Sequence, residues 1–321
     1  MTERSQHRTT VVVTRRESVA ESVLLIELAR PEGGTLPAWA PGAHIELDLA
    51  GQWKRQYSLC GDPADLSRWQ IAVLEEPDSR GGSRHIHRQL ACGDEIVVRD
   101  PVNRFEFVEA PRYLFIGGGI GITPLIPMMA TAEQAGADWS LVYGGRSLDS
   151  MSFVDSLRET YRDNVRIVPQ DRDGFLDIEQ LLSRRRTGEH VYCCGPDGLL
   201  NAVEAAYNKR GFPEDELHME RFRGTSNSLD DDDQPFLVTI ASTGEQIKIG
   251  PQCSILGALS KSGYEVESSC EEGTCGSCEV GVLDGVPDHR DSVLSKNERE
   301  AGDTIIVCVS RSAGNTLTLD L

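Results

Sequence analysis

Four cysteines near the end of the chain have a spacing that suits a metal centre. Three of them lie within nine residues, in SCEEGTCGSCEV, and one follows in IIVCVSR; they are Cys270, Cys275, Cys278 and Cys308. Gaps of four and then two residues, followed by a distant fourth thiol, are used to ligate [2Fe–2S] clusters. A structural zinc site usually pairs two CxxC knuckles, and this stretch has one. Disulfides fit poorly, because the chain starts without an apolar leader and cytosolic thiols stay reduced.

The residues around these cysteines also suit a cluster. Gly273 and Gly276 give the backbone the freedom to turn its N–H groups toward bridging sulfides. The segment PFLVTIASTGEQIKIGPQCSILGAL predicts a strand, a turn at Gly244, a second strand and a helix from about Ser254. Residues 237–321 resemble a plant-type ferredoxin domain. The other five cysteines lack ligand spacing, and most of them are expected to be small buried residues: Cys60, Cys92, Cys193, Cys194 and Cys253.

Two glycine turns predict a dinucleotide site. In RYLFIGGGIGITPLIPMM a buried strand ends in a glycine turn, and a helix is expected to open near Thr123 with Pro124 in its first turn. GxGxxG is not satisfied, because position 122 is Ile, so this turn alone suits either a phosphate or tight packing. In YCCGPDGLL, residues 192–200, a second strand enters a Gly-Pro turn and a helix. Both turns follow strands of one predicted parallel sheet, where ligands bind at the carboxyl ends of the strands.

The elements that must position these residues form a multidomain chain. Short alternating segments punctuated by Gly and Pro predict an antiparallel β-barrel over residues 1–109, with a helix after Ser83. Strands that alternate with helices predict an α/β parallel-sheet nucleotide domain over 110–225. An acidic linker is expected at 226–236, because SNSLDDDDQPF has like charges and no apolar period. An acidic docking motif or metal site is the alternative there. An α+β plant-type ferredoxin domain completes the chain at 237–321.

Composition limits the partners. The 321 residues carry a formal charge of −19, and residues 226–321 contribute −11 of it, with 17 acidic and 6 basic residues. Nucleic acids and anionic membranes repel such a protein, so a partner with a basic docking face is expected. A cytoplasmic protein is predicted, since no apolar run approaches the ~20 residues needed to cross a membrane. A monomer is also expected. His85 and His87 are interpreted as surface residues rather than metal ligands.

Six motifs in register resemble the phthalate dioxygenase reductase family, which includes vanillate demethylase and carnitine monooxygenase reductases. They are RQYSL at 55–59, RGGS at 80–83, GGIGITP at 118–124, CGP at 194–196, ERF at 220–222 and the four cysteines. The resemblance covers nearly the whole chain. It implies an FMN-binding barrel, an NADH-binding domain and a plant-type [2Fe–2S] ferredoxin domain.

The resemblance also implies site residues. Arg55, Tyr57 and Ser58 are expected to contact FMN. A guanidinium and hydroxyls suit its phosphate, and an aromatic ring suits the flavin. A plain core aromatic is the alternative interpretation of Tyr57. The loop expected to close over the FMN phosphate contributes Arg80, Gly82 and Ser83.

For NADH, the resemblance implies a pyrophosphate turn, a segment near the nicotinamide and an aromatic beside the flavin. These are respectively Gly119, Ile122 and Thr123; Cys194, Gly195 and Pro196; and Phe222. Arg146, with Ser147, could serve the 2′-phosphate of NADPH. Asp149 and Asp171 would repel that phosphate, so NADH is the expected nucleotide.

The predicted function is that of an oxygenase reductase, an NADH-dependent flavin and iron–sulfur oxidoreductase. NADH gives two electrons at once and a [2Fe–2S] cluster accepts one, so a flavin must separate them. The cluster would then pass single electrons to a terminal oxygenase, with a Rieske non-haem iron enzyme expected. The alternatives are a haem-thiolate monooxygenase as acceptor, or a redox sensor that holds the cluster without turnover.

Overall fold

The computed structural model describes residues 7–76, 81–222, 224, 230 and 232–321. The chain divides into two compact units, Met1–Arg221 and Phe222–Leu321. Of the predicted features, Arg80 and residues 226–229 and 231 of the acidic linker lie outside the described residues. The domain boundaries given above remain predictions.

The first part of unit one is a curled antiparallel sheet of six strands, in the order β4-β3-β6-β1-β2-β5. Its alternating apolar side chains form one core, in which Trp69 is fully buried. A short helix, α1, begins at Gly82, two residues before the expected position after Ser83. The elements are β1 Arg8–Ala20, β2 Val23–Ala29, β3 Ala43–Leu49, β4 Trp53–Ser58, β5 Trp69–Leu74, α1 Gly82–Arg88 and β6 Glu95–Asn103.

A parallel sheet of five strands follows in the same unit, in the order β11-β10-β7-β8-β9. The strand order reverses between β7 and β10, so their carboxyl ends flank the topological switch point where such sheets bind ligands. Five α-helices lie between these strands in the chain. The elements are β7 Arg112–Gly118, α2 Leu125–Gln134, β8 Asp138–Gly145, α3 Val154–Tyr161, β9 Val165–Pro169, α4 Gln170–Asp173, α5 Ile178–Ser183, β10 Glu189–Cys194, α6 Asp197–Lys209 and β11 Leu217–Glu220.

The second unit holds a mixed five-stranded sheet in the order β13-β12-β16-β14-β15. β12 and β16 run parallel, and the other pairs are antiparallel. The expected turn at Gly244 has a φ of 72°, and the Ser254 side chain caps α7 by accepting the Gly257 N–H. The elements are β12 Phe236–Ile240, β13 Gln246–Ile249, α7 Ile255–Lys261, β14 Glu279–Asp288, α8 Lys296–Ala301, β15 Thr304–Ile306 and β16 Arg311–Leu319.

The predicted fold classes are therefore confirmed in sequence order. The helix after the first glycine turn begins at Leu125, with Pro124 at its N-cap, because residues 119–122 form a separate 3₁₀ turn. Among the helices of the described residues, none is long and apolar enough to span a bilayer.

Candidate functional site

The cysteine loop is folded so that backbone N–H groups face its sulfurs. The N–H of Glu272 donates to Cys270 Sγ at 3.3 Å, and the N–H of Ser277 donates to Cys275 Sγ at 3.4 Å. Gly273 and Gly276 have φ values of 71° and 69°, which β-carbon sterics disfavour in other residues. These donors suit thiolates that ligate a cluster.

Gly273 is also needed because the loop lies directly on the rest of its unit. A Cβ at this position would sit 2.6 Å from Val309 Cγ2 and 3.1 Å from the Cα of Asp291. Val309 directly follows Cys308, so the close approach brings the loop beside the distant fourth cysteine. Cys275, Cys278 and Cys308 are all buried, and Cys270 is half-buried.

Hydrogen bonds lower the pKa of two of the four cysteine thiols, as expected for residues that bind a metal cluster. A hydrogen bond with the Cys275 side chain, together with N–H donors of Glu272 and Thr274, lowers the pKa of Cys270 to about 5. A hydrogen bond with Cys308 likewise lowers the pKa of Cys278. The sulfurs therefore lie in two adjacent pairs, Cys270 with Cys275 and Cys278 with Cys308. Thiolates are the form that binds iron, so these residues fit a [2Fe–2S] cluster.

The predicted flavin residues on β4 and on α1 lie close together in the first domain. A Cβ at Gly82 would sit 2.6 Å from Cγ and 2.8 Å from Nε of Arg55, so the first turn of α1 packs on that guanidinium side chain. Ser83 is buried beside it. Tyr57 points to the same face of the sheet as Arg55, and burial raises the pKa of its hydroxyl. A guanidinium, a hydroxyl and a glycine without a side chain suit a terminal phosphate.

The two glycine turns contact each other backbone to backbone. A Cβ at Gly121 would lie 2.3 Å from the carbonyl oxygen of Cys194 and 2.6 Å from the N of Gly195. A Cβ at Gly118 would lie 2.7 Å from Pro196 Cδ. Gly118 and Gly121 are thus required by tight packing, one of the two readings that the sequence left open. That packing is what joins the turns into one site.

Gly119 differs from its neighbours. It has a φ of 54°, and nothing lies within 4 Å of where its Cβ would be, so its backbone borders open space. The side chains of Ile122 and Thr123 are buried, and the Thr123 hydroxyl donates to the Ile120 carbonyl at 3.0 Å. Any contact that these two residues make with a dinucleotide would therefore come from the backbone.

Arg146 and Asp171 lie side by side just past the carboxyl ends of β8 and β9. The N–H of Asp171 donates to the Arg146 carbonyl at 3.1 Å, and both side chains are exposed. Asp149 is exposed on the 3₁₀ turn that follows Ser147. This edge of the predicted nucleotide crevice thus contains one cationic side chain, Arg146, and two carboxylates, those of Asp149 and Asp171.

Glu220 is a candidate site residue that the sequence analysis did not select. Its Oε2 accepts a hydrogen bond from the Ser58 hydroxyl at 3.4 Å and lies 4.0 Å from Cys194 Sγ. Desolvation raises the pKa of the Glu220 carboxyl to about 8. It thus joins β4, which carries the predicted flavin residues, to the end of β10, where the nicotinamide is predicted to lie. Its place in the ERF motif, two residues before Phe222, was the available signal.

The remaining candidates are placed as follows. Phe222 is 38% exposed and is the first residue of the second unit. His87 Nε2 lies 2.9 Å from the Val73 carbonyl, and the ring of His85 packs on Trp53 with centroids 5.3 Å apart, so both have structural contacts. Of the five other cysteines, Cys60, Cys193 and Cys194 are buried, Cys253 is half-buried and Cys92 is exposed.

Comparison with known proteins assigns the two later domains. Residues 115–205 match the family model described as an oxidoreductase NAD-binding domain, and residues 238–313 match a 2Fe-2S iron-sulfur cluster binding domain. The chain is 42% identical to the phenoxybenzoate dioxygenase subunit beta of Ectopseudomonas oleovorans, over 94% of both chains.

Two solved structures are similar over 98% of this chain. One is a phthalate dioxygenase reductase, described as a modular structure for electron transfer from pyridine nucleotides to [2Fe–2S], with 33% identity, a TM-score of 0.73 and 98% of its own length covered. The other is an intact type IV self-sufficient cytochrome P450 monooxygenase, with 44% identity and a TM-score of 0.89. The chain spans 41% of the length of that P450.

Proposed function

The chain belongs to the phthalate dioxygenase reductase family, and from that premise we propose which of its residues bind FMN, NADH and the cluster, and which face meets the oxygenase. It is an oxidoreductase that carries electrons from NADH through a flavin to a [2Fe–2S] cluster, as the reductase component of an oxygenase system. The main support for these residue assignments is that Glu220 contacts both Ser58 and Cys194. Ser58 is on the strand proposed to bind flavin, and Cys194 is at the turn proposed to bind the nucleotide.

FMN would be held by the barrel residues that pack on one another. Arg55, with Gly82 and Ser83 beside it, suits the phosphate, and the family motif adds Arg80. Tyr57 supplies an aromatic neighbour for the isoalloxazine ring. When bound, FMN accepts a hydride and gives up single electrons, and a [2Fe–2S] cluster carries one electron at a time.

NADH would lie across the two glycine turns. The backbone of Gly119, at the open face of its turn, suits the pyrophosphate, with Ile122 and Thr123 closing the turn from behind. Gly195 and Pro196 would border the nicotinamide beside Cys194. Asp171 and Asp149 favour a ribose 2′-hydroxyl over a 2′-phosphate, because a phosphate would be repelled.

Glu220 would hold a proton near the hydride-transfer site. A carboxyl with a pKa of about 8 is largely protonated at neutral pH, so it can donate a hydrogen bond without placing a negative charge near the nicotinamide. Ser58 donates to the same carboxyl and orients it. Phe222, two residues later, is the aromatic that the family places beside the flavin.

The partner would be a terminal oxygenase with a basic docking face. Glu271 and Glu279 flank the cluster cysteines and are exposed, in the part of the chain that carries most of the acidic excess. A Rieske non-haem iron oxygenase is the proposed acceptor. A haem-thiolate monooxygenase is the second candidate. It is retained because the chain is 44% identical to part of a self-sufficient P450.

The test is anaerobic reduction of the purified protein by NADH, followed at flavin and cluster wavelengths, with cofactors released by heat and identified by mass. We expect FMN, iron and acid-labile sulfide, reduction of both chromophores, and steady reduction of cytochrome c. A redox sensor would be reduced without turning over cytochrome c. A thousandfold better kcat/KM with NADPH than with NADH would contradict the nucleotide assignment.

A further inference from the structure

One peptide of the cluster loop, between Gly273 and Thr274, is hydrogen-bonded on both of its sides. Its carbonyl oxygen accepts the N–H of Ser292 at 2.9 Å and the Ser292 hydroxyl at 3.3 Å. Its N–H, which belongs to Thr274, donates to the sulfur of the proposed cluster ligand Cys270. The C=O and the N–H of a trans peptide point in opposite directions. Ser292 and the cysteine therefore lie on opposite sides of this peptide, in the same compact unit.

Ser292 is itself held in place by a buried carboxylate. The side chain of Asp291 is fully buried, and its Oδ2 accepts the N–H groups of Val293 at 3.0 Å and Leu294 at 2.8 Å. The guanidinium of Arg299 donates to the Asp291 carbonyl at 2.6 Å. The backbone on both sides of Ser292 is thus fixed, which keeps its two donors directed at the cluster loop.

Donors on the carbonyl of this peptide affect the sulfur on its other side. When a peptide carbonyl accepts a hydrogen bond, the peptide polarises and its own N–H becomes a stronger donor, by ~10–30% per bond. Hydrogen bonds to the sulfurs are among the features that set the reduction potential of an iron–sulfur cluster. The reduced cluster carries one electron more than the oxidised cluster. A stronger N–H donor therefore stabilises the reduced form more than the oxidised form.

We propose that Ser292 raises the reduction potential of the cluster by polarising the peptide between Gly273 and Thr274. It acts on the cluster ligand through that peptide, so it is a positioning residue, and Asp291 supports it by fixing the turn. The proposal rests on the proposed function, in which the cluster takes one electron from the flavin and gives it to the oxygenase. A higher potential makes the first of these two transfers more favourable.

The test compares three variants of the full chain. Ser292→Ala removes the hydroxyl donor and keeps the backbone donor, whereas Ser292→Thr keeps both. Ser312→Ala is the matched control, because the Ser312 hydroxyl also donates to a backbone carbonyl of the second unit, that of Thr316 on β16, at 3.2 Å. Iron and sulfide analysis and the visible spectrum establish that each protein holds its cluster.

The reduction potential of the cluster is measured by titration with dithionite and redox mediators, which does not involve NADH. We expect Ser292→Ala to make cluster reduction about twofold less favourable, a fall of roughly 18 mV at 59 mV per tenfold for one electron. Proton ENDOR of the reduced cluster should show a weaker coupling to an exchangeable amide proton in the same variant. Ser292→Thr and Ser312→Ala should match the parent in both measurements.

The direction of the change separates this role from a purely structural one. A variant that only loosens the loop would admit water to the cluster, and water stabilises the added charge of the reduced form, so the potential would rise. A potential that rises or stays the same in Ser292→Ala would overturn the proposal. An equal fall in Ser292→Thr or Ser312→Ala would also overturn it. A parent protein that binds no cluster would instead contradict the proposed function.

Discussion

The cluster loop and the glycine turns of the nucleotide domain both depend on glycine, but for different physical reasons. In the cluster loop, Gly273 and Gly276 adopt left-handed backbone angles that turn N–H groups toward sulfur. In the nucleotide domain, Gly118 and Gly121 have ordinary backbone angles. What matters there is the missing side chain, because atoms of residues 194–199 occupy the volume that a Cβ would need. The first requirement is local and can be read from spacing. The second comes from a segment more than 70 residues away.

The largest expected effect tests whether the two regions are independent. Cys275→Ser removes one thiolate ligand, so the cluster's visible absorption and its iron should be lost completely. The flavin should still be reduced by NADH, because the two other sheets have their own cores. The measurement is the absorption spectrum with anaerobic stopped flow. A retained cluster spectrum would contradict the ligand assignment.

The next prediction concerns Gly121, a glycine at which the two turns of the nucleotide domain pack against each other. Gly121→Ala places a methyl 2.3 Å from the Cys194 carbonyl, so the turns must separate. We expect a loss of about 3 kcal/mol in the free energy of unfolding, the upper part of the range for overpacking, and a large rise in KM for NADH. Gly198→Ala is the control, because open space surrounds that position. Equal stability of the two variants would mean that the turns tolerate separation.

A smaller, pH-dependent effect is expected at Glu220, where the two turns meet the flavin strand. Its pKa is raised from 4.5 to about 8, so the folded protein holds a proton that the unfolded chain has lost over this range. This group's contribution to stability is full below about pH 4.5 and falls as pH rises toward 8. Glu220→Gln should remove that slope in the melting temperature of the apoprotein between pH 5 and about 8. It should also abolish an inflection near pH 8 in flavin reduction. An unchanged pH profile in the variant would exclude Glu220 as the titrating group.

The smallest effect is expected at the surface beside the cluster loop. Glu271→Lys and Glu279→Lys together should slow oxygenase-coupled turnover severalfold at low salt, and the difference should fade as the Debye length shrinks from roughly 10 Å at 0.1 M to about 3 Å at 1 M. Flavin reduction by NADH should not change. Glu159→Lys alters charge on an exposed helix of the nucleotide domain and serves as the control. The same loss in both proteins would mean that net charge, and not this face, controls docking.

The features predictable from sequence are those with local causes. Strand alternation, the turn at Gly244 and the thiol spacing each depend on neighbours within a few residues, and the fold classes were correctly predicted from them. Glu220 could not be identified as a partly buried acid with a raised pKa, because its desolvation comes from the fold around Ser58 and Cys194. Asp233 looked solvated within four consecutive acids, since its partners Arg290 and Arg311 lie more than 50 residues along the chain.

The incomplete closure of the barrel has a consequence for handling the protein. β4 and β5 are the two edges of the curled sheet, and among the described residues one isolated bridge, Leu59 to Ile71, joins them. β4 is also the strand that carries the proposed flavin residues. An uncovered strand edge is a template for pairing with another chain. A cofactor seated against β4 would shield that edge, so we expect apoprotein prepared by stripping FMN to aggregate faster than holoprotein, with solubility restored by adding FMN back.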